Sequence, residues 1–77
     1  MPTIGELYNP LIKAAELNDN NGFELLNELG RMIFENNKDK CPNIEDGILA
    51  AKRNLGYYCQ YFDKETELKV KQFYNIY

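Results

Sequence analysis

The stretch NIEDGILAAKRNLGYYCQYF, residues 43–62, decides the fold. Ile44, Ile48, Ala51, Leu55, Tyr58, Cys59 and Phe62 recur at the three- and four-residue spacing that lines up side chains on one face of an α-helix. Asn43 stands just before this run, where its side chain can accept a hydrogen bond from one of the unpaired first amides. Glu45 and Asp46 follow in the first turn, where the positive end of the helix dipole favours carboxylates. A helix over 44–62 is the expectation, and the flanking segments follow the same logic.

Toward the N-terminus, Phe23, Leu26, Leu29, Gly30, Ile33 and Phe34 share one helical face. This predicts a helix over 22–37, entered from the turn-forming run Asp19-Asn20-Asn21-Gly22 and marked by the Asn21/Glu24 spacing. It ends in a polar link, Asn36 to Lys40, that leads to Cys41-Pro42. Asn9-Pro10 is a further start signal, and Thr3 and Glu6 have capping-box spacing. One helix over 4–18, bent at Pro10, is expected there in preference to a short turn followed by a helix. Toward the C-terminus, Asp63 caps a helix over 64–75. Glu65–Lys69 and Glu67–Lys71 are i,i+4 pairs in the favourable order, and Val70, Phe73, Tyr74 and Tyr77 share a face. Four helices with short links predict an all-α fold: one domain, 1–77, built as a small antiparallel bundle.

Composition narrows the function. The chain has 77 residues, 44% hydrophobic and 27% charged, so it is globular and not disordered. It holds no His, which removes the commonest general base and metal ligand, and no Ser, which removes serine catalysis. The expectation is a non-enzymatic protein without a cofactor or metal. Net charge is −3, and it is uneven. Residues 1–37 carry six acids against two bases, whereas 38–77 carry six acids against seven. An acidic first half argues against wrapping DNA, which needs a basic face, and suits docking on a basic protein surface. With no long apolar run and no basic-then-apolar leader, a soluble cytoplasmic protein without a membrane partner is expected.

Several constellations invite a chemical reading. Leu17 to Glu28 superficially resembles a calcium-binding EF-hand loop, with Asp19, Asn21 and Glu28 at ligand positions. Leu17, however, offers no oxygen at the first position, and Leu25 stands where a polar residue is usual. The two cysteines cannot pair if 44–59 is one helix. Its rise parts the ends by about 22 Å, the chain from Cys41 to Ile44 recovers about 10 Å, and a disulfide needs Cα atoms within roughly 7 Å. Gly30 and Gly56 lie inside predicted helices, where their use is close helix–helix approach.

Six tyrosines are many for this length. Tyr57 and Tyr61 fall opposite the apolar face of 44–62, beside Arg53. Tyrosine with arginine is a common pairing at binding hot spots, so Arg53, Tyr57 and Tyr61 are candidate partner-binding residues. The alternative is that both rings pack beneath the first or fourth helix with their hydroxyls reaching water. Leu25 and Met32 form a second stripe on the helix over 22–37, bridged to the first by Leu29. Such a helix is either central or self-associating, which makes Leu25, Leu29 and Met32 candidates for a homodimer contact.

Asn54-Leu55-Gly56-Tyr57-Tyr58, then Tyr61-Phe62-Asp63-Lys64-Glu65-Thr66, then Val70 and Phe73, resemble the C-terminal part of short uncharacterised proteins encoded by phages and prophages. The resemblance spans residues 54–73. It implies no known activity and no functional residue, but it implies a phage accessory protein. The function expected is contact with another protein, as a phage-encoded inhibitor or modulator of a host protein. A structural or assembly homo-oligomer and a small nucleic-acid-binding regulator are the other two readings.

Overall fold

The computed structural model describes residues 5–76. A 3-10 turn, Gly5–Leu7, runs directly into α1, Tyr8–Glu16; then come α2, Asn21–Asn36, α3, Ile44–Cys59, and α4, Lys64–Tyr74. No strand occurs among these residues, and the expected all-α bundle is the fold.

Local chemistry sets the boundaries. The Asn43 side chain accepts from the Asp46 amide at 3.0 Å, and that of Asp63 accepts from the Thr66 amide at 2.7 Å. The Thr66 hydrogen bonds hold the Asp63 carboxyl below its ordinary range. Two other expected caps differ. Asn9 does not cap α1: the helix has already begun at Tyr8, and the Asn9 side chain accepts from the Tyr58 hydroxyl at 3.1 Å. Pro10 then lies in the first turn of α1, where an amide hydrogen has no partner within the helix. Asn21 does not cap α2 either: it is already helical, and its amide donates to the Asp19 carboxylate at 3.0 Å. The helix over 4–18 is thus a 3-10 turn plus α1, with Ile4 and Thr3 outside the described residues. It ends because Asn18 is left-handed, at φ 56°. The Asn18 and Asp19 amides then fold back onto the Ala15 and Ala14 carbonyls.

α3 stops at Cys59, short of the expected 62. The amides of Gln60, Tyr61 and Phe62 reach back three residues instead of four. This tightens the chain into a turn and delivers Asp63 in the extended conformation that a cap requires.

The helices enclose one core, in which Leu11, Leu29, Leu55, Cys59, Val70 and Tyr74 are fully buried. The closest seam joins α2 and α3. A Cβ on Gly30 would lie 2.6 Å from Ile48 Cγ1 and 2.8 Å from Ile48 Cα, and one on Gly47 would collide with the Gly30 carbonyl oxygen. Gly30 therefore serves close helix approach as expected, and Gly47 is its partner. α4 closes the bundle through Tyr74, whose hydroxyl donates to the Leu11 carbonyl at 2.6 Å. Gly22 leaves room for that hydroxyl. The Phe23 ring stacks on Phe73 at 4.8 Å and meets Tyr74 edge-on, which ties α2 to α4.

Candidate functional site

Opposite its buried stripe of Ala51, Leu55 and Cys59, α3 carries Leu49, Arg53 and Tyr57. Their i, i+4, i+8 spacing makes one ridge along the helix. Leu49 is 59% exposed, Tyr57 is 61% exposed, and Arg53 is exposed as well. The packing of Tyr57 and Tyr61 under a neighbouring helix is therefore not what occurs. Tyr61 is 90% exposed, but it sits in the turn after α3 and not on the ridge. Arg53 and Tyr57 come together; Tyr61 stands apart from them.

The ridge borders two depressions. One, of about 330 Å³, lies between α3 and the end of α4, with Leu49, Gly56, Tyr57 and Ile76 among its walls. The chain after α4 builds part of it. Asn75 takes the left-handed conformation at φ 56°, and the Ile76 amide bonds back to the Lys71 carbonyl at 2.8 Å. This turns Ile76 inward against Gly56, where an added Cβ would lie 3.1 Å from Ile76 Cγ2. Gly56 thus accommodates the segment after α4 and not a neighbouring helix. The second depression lies toward the loop after α2 and shares Leu49 and Arg53 with the first.

Charge is segregated on this face. Lys52, Arg53 and Lys71 line the first depression with no carboxylate among its walls. The second adds Lys40 and one acid, Asp46. Lys71 is held by Glu67 at 3.0 Å, but Lys52 and Arg53 make no ion pair with any described residue. Among the described residues, a chain of net charge −3 thus presents four of its nine cations here, with Asp46 in the lining and Glu67 paired to Lys71 as the carboxylates beside them. The acidic first half had pointed to a basic partner surface; the depressions beside Arg53 suit the opposite sign. Sequence reasoning missed Leu49, Lys52 and Ile76. The available signal was that Leu49 and Lys52 precede Arg53 and Gly56 by four residues, off the apolar stripe.

The second stripe of α2 is not a free surface. Leu29 is fully buried, while Leu25 and Met32 are half-buried and packed against the core. α2 is apolar on more than one side because it packs against α3 and α1 and meets α4 through Phe23.

The thiols are buried and unpaired. Cys59 donates to the Gly56 carbonyl at 3.2 Å. Burial first, and the nearby Glu67 second, push its thiol above the ordinary range, which keeps it protonated and a poor nucleophile. The calcium-loop likeness dissolves, because Asn21 to Glu28 are helical and Glu28 pairs with Arg31 at 3.7 Å. No described group of three Cys, Asp or Glu side chains is placed to hold a metal ion. No helix is long and apolar enough to cross a membrane among these residues.

Comparison with protein-family models, with curated proteins and with solved structures finds no match to this chain.

Proposed function

We propose that this is a non-enzymatic binding protein that works by protein–protein contact through the outer face of α3, as a phage-encoded inhibitor or modulator of a host protein. The observation that carries this reading is the exposed Leu49–Arg53–Tyr57 ridge. A large aromatic ring, 61% exposed on a helix whose other side is anchored in the core, is presented with little conformational freedom left to lose on binding. Tyrosine and arginine are over-represented among residues that dominate binding energy.

The test is capture from a bacterial host lysate followed by native mass measurement, with wild type and the double variant Arg53→Ala/Tyr57→Ala side by side. Wild type should retain a stoichiometric partner. The variant should keep its helical circular dichroism and lose that partner. Equal retention by a folded variant overturns the reading.

A further inference from the structure

Resting on that reading, we infer that the depression between α3 and α4 receives an acidic amphipathic segment of the partner protein, with an apolar side chain seated between flanking carboxylates. The floor and the rim call for different chemistry. Gly56 and Ile76, with the exposed Leu49 at the edge, give the depression apolar walls, and about 330 Å³ admits one or two side chains. The rim carries Lys52, Arg53 and Lys71; among the described residues Glu67 already pairs with Lys71, which leaves Lys52 and Arg53 for an incoming carboxylate. Lys52 and Arg53 are without an ionic partner among the described residues, so an incoming carboxylate displaces no existing ion pair there. From Leu49 to Tyr57 the ridge runs eight residues, about 12 Å of helix. That length matches two turns of a docked helix and its i, i+4 anchors.

Two other occupants fit less well. A second copy docking symmetrically through this face would set the unpaired Lys52 and Arg53 of both copies near the same axis, like charge toward like. A nucleic-acid strand needs cations that track its phosphates, and the net charge of −3 repels a polyanion.

The full chain, 15N-labelled, is titrated with two synthetic twelve-residue peptides carrying leucines at i and i+4, one flanked by Glu and the other by Lys. The Glu peptide should give saturable amide shifts at Leu49, Arg53, Tyr57 and Ile76, with affinity at least tenfold above that of the Lys peptide. The charge-reversed variant Lys52→Glu/Arg53→Glu, checked for intact helicity, should invert this preference. Four results would overturn the inference: no saturable shift with the Glu peptide, equal binding of both peptides, tighter binding of a dT12 oligonucleotide, or shifts at these amides on concentrating the protein alone. If the peptides fail but Arg53→Ala/Tyr57→Ala still loses the partner that wild type captures, this inference falls and the proposed function stands. If that variant keeps its partner, the proposed function itself falls.

Discussion

Toward α2, the third helix meets its neighbour backbone to backbone, with Gly30 and Gly47 stripped of side chains so that the two can approach. On the other side, the same helix ends in leucine, arginine and tyrosine that stand in solvent. The two faces differ in what an added or removed atom does. At the seam Gly30 and Gly47 each face an opposing atom too close for a Cβ, so a single methyl group is felt. On the ridge no helix lies over the side chains, so they are free to be chosen for what they meet. A domain of this size has only ~3–5 kcal/mol of net stability, so the seam decides whether the helix is held at all.

The strongest way to break this contrast is Gly47→Ala. Its methyl group meets the Gly30 carbonyl oxygen and Phe34, so the helices must separate. A loss of about 3 kcal/mol, most of the stability, is expected in urea unfolding. A fully stable Gly47→Ala protein would show that the seam has room for a methyl group. Next comes Tyr74→Phe, which removes the hydrogen bond that the Tyr74 hydroxyl adds to the helical Leu11 carbonyl and should cost about 1 kcal/mol. The same residue gives a pH signature. Burial first, and Asp19 second, push its hydroxyl up to about 12 from 10.0. The raised value means that the stabilisation is complete below pH 10 and is lost as pH climbs through the folded value. Tyr74→Phe should flatten this alkaline limb of the stability curve. Asn43→Ala removes the cap at the start of α3 and should cost about 1 kcal/mol by thermal melting. The smallest effect is expected on the ridge, where Arg53→Ala/Tyr57→Ala should change stability by no more than about 0.5 kcal/mol. A loss several times larger would mean that the ridge is structural.

Fold class was legible because each helix announces itself locally. The apolar spacing in 44–59, the Asn43 and Asp63 caps and the Glu65–Lys69 and Glu67–Lys71 pairs depend on neighbours within four residues, and all are present. What escaped reading depends on contacts between distant segments. Asn9 looks like a cap by type, yet its side chain bonds to Tyr58, 49 residues away. Gly47 looks like an interruption in a helix until Gly30 is placed against it. For Arg53 and Tyr57, periodicity gave the face, but whether another helix covered that face was a tertiary matter. Ile76 escaped for the same reason, since only the left-handed Asn75 turns it back toward α3.

The bond from Tyr74 to Leu11 spans 63 residues, nearly the whole chain. The α2–α3 pair, by contrast, is joined by a short link and can assemble as soon as its residues exist. During synthesis, α1 can pack on α2 early, but its seat against α4 must wait for the last helix. Until Tyr74 has left the ribosome, α1 holds Leu7, Leu11 and Ile12 ready with no α4 to close over them. For that interval the nascent chain leaves uncovered the apolar side of α1 that α4 closes over in the finished protein.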